Sequence, residues 1–166
     1  MSEPGPYEKT KFDGKTVDEK TKDALQWADR KFREKYPDKR LELAQGSYNA
    51  GGVQASAGTH DGGGVVDVRT VPLNEEQDKF MLKQLKKAGF AAWIRDSRDG
   101  MDPHIHACLL ASKGKYHKTM AQGAKNQCDS YLAGRNGLKN NAEDRNPWRP
   151  DPQVYWNYEK HKPVER

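Results

Sequence analysis

Apolar residues recur at helical spacing in the first part of the chain. Thr16 and Glu19 have the spacing of a capping box, in which each side chain bonds the free backbone amide of the other, and Pro37 cannot continue a helix. We therefore predict a first helix over residues 16–36, after an extended lead-in over residues 1–15. Its apolar face would consist of Val17, Thr21, Ala24, Leu25, Ala28, Phe32 and Tyr36.

Two further helices are predicted later in the chain. Asn74 and Gln77 form a second capping box, and Gly89 suits the left-handed turn that ends many helices. A weaker helical pattern covers residues 116–132, ending before Gly134. The buried stripe of the second helix would be Phe80, Met81, Leu85 and Ala88.

Four short segments, residues 41–44, 65–71, 90–94 and 104–110, have the composition or alternation of strands. The pattern predicts an α+β fold, with a small antiparallel sheet packed against two or three helices. We expect one domain over residues 16–134 and a C-terminal arm over 135–166, rich in proline and aromatic residues and without regular structure. Alternation along the last strand puts His104, His106 and Cys108 on one face and Ile105, Ala107 and Leu109 on the other.

Composition limits the possible partners. The chain has 166 residues, 34% of them hydrophobic and 32% charged, and a net charge of +5. The basic balance favours an anionic partner, either nucleic acid or a bacterial cell wall. No apolar run is long enough for a membrane span and no signal peptide is recognisable, so we expect a monomeric protein made in the cytoplasm. Cys108 and Cys128 are expected to be buried free thiols.

The chemistry is concentrated where a glycine-rich loop enters a strand. His60 and Asp67 are joined by this loop, and a carboxylate in an apolar strand is costly unless something pairs with it. His60 alone is compatible with a surface loop, and Asp67 with an ion pair to Arg69. Together with one of His104 and His106, however, they supply two nitrogens and one oxygen, the ligand set of a zinc site whose fourth position is left to water. Cys108 shares the histidine face and is a less favoured ligand.

These residues and their order resemble the zinc peptidases that cut bacterial peptidoglycan, the D-alanyl-D-alanine carboxypeptidases and phage endolysins, which are related to the hedgehog signalling domain. Six residues separate His60 from Asp67, as in that group, and His104-Ile105-His106 matches a histidine, apolar residue, histidine trio. The resemblance covers roughly residues 20–112. It implies a zinc site at the strand ends with His60, Asp67 and His106 as ligands, and His104 facing the substrate.

The chain departs from this group at three places. An arginine that is usual in the segment before the loop has no clear equivalent near residues 45–52. Gly58 stands where the group has a serine, and Ser56 is displaced by two positions. The acid that serves as general base has no direct equivalent, because Pro103 and Gly100 occupy its two known positions. The flanking acids of the loop over residues 95–103 are the candidates, Asp102 by preference and Asp99 as the alternative.

The function that the resemblance implies is hydrolysis of an amide bond in the peptidoglycan stem peptide, at the bacterial cell wall, or at the host cell wall if the chain is phage-encoded. Asp102 or Asp99 would act as base, and His104 would orient that carboxylate or stabilise the oxyanion. No nucleic-acid partner is expected on this reading.

Three alternatives use the same residues differently. A metal-dependent single-strand DNA endonuclease would use the His104 and His106 pair for its metal and Tyr131 as nucleophile, leaving the His60 loop without a role. A zinc-binding module without catalysis is the second. An iron oxygenase is disfavoured because Gly62 occupies the position of its carboxylate.

Overall fold

The computed structural model describes residues 3–49 and 58–165. Ser56 and most of the segment leading into the glycine loop lie outside the described residues. The described chain is α+β, as predicted. Its helices are α1 (Glu19–Lys35), α2 (Glu75–Ala88) and α3 (Gln122–Leu132), and its strands are β1 (Lys9–Phe12), β2 (Lys15–Asp18), β3 (Leu43–Gln45), β4 (Val65–Arg69), β5 (Phe90–Arg95), β6 (His104–Ser112), β7 (Lys115–Tyr116), β8 (Tyr155–Asn157) and β9 (Lys162–Val164).

The central sheet is antiparallel, with strand order β3-β4-β6-β5, and β7 pairs with the far end of β6. Its long middle strand β6 has the predicted alternation. On one face, the β4 and β6 side chains join the main hydrophobic core beneath α1 and α2. This set comprises Val66, Val68, Ile105, Ala107 and Leu109, all fully buried. The opposite face carries the polar residues and is covered in part by α3.

The capping prediction for α2 is confirmed. Asn74 accepts a hydrogen bond from the Gln77 amide, and the Gln77 side chain accepts one from the Asn74 amide. Gly89 ends the helix in the left-handed conformation, with φ of 108°. A side chain there would be strained and would meet the backbone of Tyr155. The predicted apolar stripe is buried as expected, although Phe80 is only partly buried. Leu82, which was not predicted, is also buried in the core.

The predicted start of the first helix is wrong by three residues. Thr16 lies in β2 and pairs with Lys11 of β1. Part of the predicted extended lead-in over residues 1–15 is therefore a hairpin, and this hairpin continues past residue 15. The helix begins at Glu19 because Asp18 is its N-cap, and the Asp18 side chain accepts a hydrogen bond from the Thr21 amide. A carboxylate is a better N-cap than a threonine, and its charge also suits the positive helix end.

The third helix is shorter than predicted. Tyr116 belongs to β7, opposite Leu110, and the helix begins only at Gln122. The intervening turn is used for packing, because the buried His117 places Nε2 2.8 Å from the Asp18 carboxylate. This side-chain contact between distant parts of the chain outweighs the helical preference of the local sequence.

The C-terminal arm has regular structure, contrary to the prediction. Strands β8 and β9 form an antiparallel hairpin, and Trp156 is buried in the main core. The Trp156 indole donates to the Asp23 carboxylate of α1 over 2.9 Å. Tyr155 is buried in the core on the opposite face of the sheet. Trp156 and Tyr155 are therefore core residues, Tyr158 packs half-buried against the core, and Trp148 is 46% exposed. No helix of the described chain is long and apolar enough to cross a membrane.

Candidate metal centre

The register of the sheet brings Asp67 beside His106. The two residues are opposite each other in β4 and β6, and Trp93 of β5 is opposite His106 on its other side. Residues that are paired across antiparallel strands point to the same face, so these side chains form one row. The His106 Nδ1 lies 3.0 Å from Asp67 Oδ1, and its ring stacks on Trp93 with an interplanar angle of 19°.

His60 reaches the same carboxylate from the glycine loop. Its Nδ1 donates to the Gly46 carbonyl over 2.8 Å, and its Nε2 lies 3.3 Å from Asp67 Oδ1. The loop can approach this closely because Gly62 and Gly63 have no side chains. A Cβ at either glycine would collide with Thr119. The sequence prediction that the loop folds His60 back over Asp67 is therefore confirmed.

His104 also faces Asp67. Its Nδ1 donates to the Asp102 carbonyl over 2.7 Å, which leaves Nε2 3.7 Å from Asp67 Oδ1. The resemblance implies only that His104 faces the substrate, whereas the structure also places it next to the predicted ligand Asp67. His104 remains outside the tightest group, His60, Asp67 and His106, whose ligand atoms all lie within 4.8 Å of one another and which could hold a metal ion.

The hydrogen bonds around the site determine which nitrogens carry protons. Carbonyl oxygens can only accept, so His60 and His104 each have their proton on Nδ1. His106 Nε2 lies 2.7 Å from the Gln127 side-chain oxygen, and the Gln127 amide nitrogen donates to the Gly137 carbonyl, which fixes that oxygen towards the histidine. His106 therefore has its proton on Nε2.

This proton arrangement produces an excess of acceptors at the centre. When the three rings are neutral, His60 Nε2, His104 Nε2 and His106 Nδ1 all present lone pairs to a carboxylate oxygen. Burial lowers the pKa of His106 and so favours its neutral form. Acceptors facing one another without a donor repel, and a cation among them removes that repulsion. The donor set therefore fits a metal ion.

Asp67 is suited to remain ionised. Burial alone would raise the pKa of this carboxyl, but the hydrogen bonds and positive charge that His106 and His60 supply when protonated outweigh it and hold the pKa well below its usual range. Protons on these histidine nitrogens and a metal ion are alternative occupants of the same lone pairs, and either one favours the ionised carboxylate, so Asp67 offers a negative ligand to a bound metal.

The group lies in a cleft of about 760 Å³. His60 is 1% exposed, whereas Asp67 and His104 have 14% and 19% of their side chains exposed, so the centre opens on one side only. The cleft is also lined by Asp102, Arg69 and Arg95. Its size suits a short peptide or a comparable small molecule.

The two candidate bases differ in position. Asp99 is bound at both oxygens by Arg145, each over 2.9 Å, and its side chain is 5% exposed. The Arg145 hydrogen bonds lower the pKa of Asp99 despite its partial burial. Asp99 therefore holds Arg145 and the turn that begins at Asp96, a role that conflicts with its prediction as a base. Asp102 is exposed and lines the cleft.

Two other sequence expectations concern buried groups. The Cys108 Sγ lies 3.5 Å from His106 Nε2, but burial raises the pKa of this thiol well above its usual value, so it is a neutral neighbour. Both cysteines are free and buried, as predicted. Tyr131, the proposed endonuclease nucleophile, is 2% exposed and packs edge-on against Trp93. A hydroxyl in that position cannot reach a DNA phosphate, which is a correction to that alternative.

The residues that orient the site were not found from sequence. Gln127 and the Gly46 carbonyl belong to no metal-binding motif, and only the fold brings them to the histidines. The buried pair of Asp18 and His117 supports the glycine loop from behind. Tyr48 donates to Asp18, and a Cβ at Gly63 would meet the Tyr48 hydroxyl, Thr119 and Asp18. The local sequence around His117 and Thr119 matches no motif, so it does not indicate that these residues support the glycine loop.

Comparison with protein-family models, with curated proteins and with solved structures finds no match. The geometry of the centre is therefore the basis for a functional assignment.

Proposed function

We propose that the chain is a zinc-dependent peptidase that hydrolyses an amide bond in the peptidoglycan stem peptide. One observation carries the proposal: the lone pairs of His60 and His106 converge with the Asp67 carboxylate at the floor of an open cleft. We extend the proposal to the fold, as a member of the D-alanyl-D-alanine peptidase and hedgehog group. The sequence spacing of His60, Asp67 and His106 supports it.

Zinc suits this donor set because imidazole nitrogens and carboxylate oxygens are its usual ligands beside thiolate. His60, Asp67 and His106 would hold the ion, and the bonds from Gly46 and Gln127 would fix the rings in the ligating orientation. When bound, zinc lowers the pKa of a coordinated water and polarises a carbonyl oxygen.

The remaining steps belong to side chains of the cleft. Asp102 would accept a proton from the attacking water and give it to the leaving amine. His104 would stabilise the negative charge that develops on the carbonyl oxygen when its Nε2 also carries a proton, because only then can that nitrogen donate a hydrogen bond. The net charge of +5 supports action on an anionic cell wall. Hydrolysis adds one water across the amide, leaving a carboxylate and an amine.

A zinc-binding module without catalysis is the second candidate. It is favoured by the state of the two acids, since Asp99 is engaged by Arg145 and Asp102 is held at its carbonyl, not at its carboxylate. A catalytic base is usually oriented through its reacting group. Catalysis must therefore be tested separately from metal binding.

The test is release of free amines from purified peptidoglycan by the zinc-loaded chain, with and without a chelator. We expect chelator-sensitive release that Asp102→Asn reduces roughly 100-fold to 10,000-fold. Asp99→Asn is the matched control, because the same substitution in the same loop should leave most of the activity. A parent chain that binds zinc but releases no amine would overturn the peptidase and leave the binding module.

A further inference from the structure

Two arginines occupy the row of the sheet beside the metal ligands. Arg69 in β4 and Arg95 in β5 are both register partners of His104. Residues two positions apart along a strand share a face, so both arginines are on the face of Asp67 and His106. Both line the cleft. The cleft therefore has metal ligands in one row and two cations in the next.

Arg95 is held rigidly and is almost fully buried. It is 3% exposed, its Nη1 donates to the Asn136 carbonyl over 2.6 Å, and its guanidinium lies 4.9 Å from the centre of the Trp93 ring. Its Nη2 is buried without a hydrogen-bond partner among the described residues. A buried guanidinium keeps its charge, so a missing partner is costly.

No acid in the described parts of the chain forms a salt bridge with either arginine. Asp99, the nearby acid in the loop after β5, is engaged by Arg145. Asp99 and Asp144 act on Arg95 only through longer-range attraction. Arg69 is exposed, so its charge is free to meet a ligand. The cleft thus presents two cations whose charges are not neutralised by direct contact.

We propose that Arg69 and Arg95 form a subsite for a carboxylate of the peptide substrate. The inference rests on the proposed peptidase function and specifies its substrate. Neighbouring rows on one face of a strand are roughly 7 Å apart, the length of about two residues of extended peptide. A carboxylate within two residues of the scissile amide therefore reaches the arginines. Arg69 makes the direct contact, and Arg95 adds a fixed positive charge behind it.

Stem peptides offer this chemistry in two places, the C-terminal carboxylate and the α-carboxylate of the γ-linked glutamate. A matched set of three synthetic peptides distinguishes them. The first is L-Ala-γ-D-Glu-L-Lys-D-Ala-D-Ala with both carboxylates free, the second has a C-terminal amide, and the third has an amide at the glutamate α-carboxyl. Hydrolysis by the zinc-loaded full chain gives kcat and KM for each.

We expect one amide peptide to lose roughly tenfold or more in kcat/KM, mainly through KM, and its identity names the carboxylate that is bound. Arg69→Ala should lower kcat/KM for the all-carboxylate peptide about fivefold and leave that amide peptide unchanged. Arg95→Gln removes a charge that lies behind the contact and should have the smaller effect, roughly twofold to threefold. Zinc content should stay the same in all variants.

Arg30→Ala is the matched control, since Arg30 is an exposed arginine on α1, beyond the opposite face of the sheet. Equal loss in Arg30→Ala and Arg69→Ala would overturn the subsite in favour of general charge attraction. Hydrolysis of all three peptides within twofold would overturn it and leave the peptidase proposal intact. If no peptide is hydrolysed, the peptidase proposal fails, and calorimetric binding of the same peptides decides the subsite independently.

Discussion

The two faces of the central sheet are built from alternate residues of the same strands and have opposite characters. On the α1 and α2 face, Val68 and Ile105 are fully buried in an apolar core. On the other face, their neighbours Asp67 and His106 direct acceptor atoms at one another. The apolar face supplies the stability and rigidity of the sheet. The polar face uses that stability to hold acceptor atoms close together, which is unfavourable unless a cation lies among them.

The largest effect should come from the apolar face. Phe32→Ala removes a fully buried ring from beneath α1 and should lower the free energy of unfolding by about 3–5 kcal/mol, with or without zinc. Chemical denaturation of both forms measures it. Leu132→Ala, at a residue that is 39% exposed on α3, is the control and should cost under about 0.5 kcal/mol. A cost for Phe32→Ala close to that of the control would contradict the comparison.

On the polar face, the second largest effect should come from Gln127. Gln127→Ala removes the acceptor that keeps the His106 proton on Nε2, so zinc affinity should fall roughly 10-fold to 100-fold while unfolding of the metal-free chain changes little. Competition with a chromogenic chelator measures the affinity. Asn126→Ala changes the exposed neighbouring residue and should leave affinity unchanged. If both variants bind zinc like the parent, Gln127 has no orienting role.

Asp67→Asn should stabilise the metal-free chain, whereas substitutions on the apolar face should destabilise it. The asparagine amide can donate to the lone pairs of His60 and His106, which now face a bare oxygen. At pH 7.5 the metal-free variant should therefore be more stable than the parent by about 1 kcal/mol, the net value of a hydrogen bond, and should no longer bind zinc tightly. A metal-free variant less stable than the parent would show that the histidines already have donors.

The smallest effect is expected at Arg145. Arg145→Ala removes the partner of Asp99 at a partly exposed site, so the free energy of unfolding should fall by only about 0.5–1 kcal/mol. Thermal denaturation at matched pH measures it. Amine release should persist in this variant if Asp102 is the base. Loss of release together with retained zinc would assign Asp99 and its partner a direct catalytic part.

Features that depend on residues close together in the chain could be predicted from the sequence. The capping box of α2 and the alternation of β6 depend on residues a few positions apart, and both are confirmed. The convergence of His60 with Asp67 was also predictable, because glycines permit a close loop. Zinc as the metal and peptidase activity stay predictions.

The errors have a common physical cause in contacts between residues far apart in the chain. Asp18 displaces Thr16 as helix cap while also receiving His117, and Trp156 draws the C-terminal arm into the core. Arg145, a residue of that arm, bonds both oxygens of Asp99, the alternative candidate base. Such partners have no local signal, since a side chain's partner is set by tertiary packing and not by its neighbours in sequence.

The most direct test of the account is zinc binding by the parent and by His60→Ala, Asp67→Ala and His106→Ala, measured by metal analysis after dialysis and by competition titration. One zinc per chain in the parent, and loss of tight binding in each variant with the fold retained by circular dichroism, is the predicted result. Undiminished binding in any of the three variants, or no binding by the folded parent, would contradict the convergence of these residues on one cation.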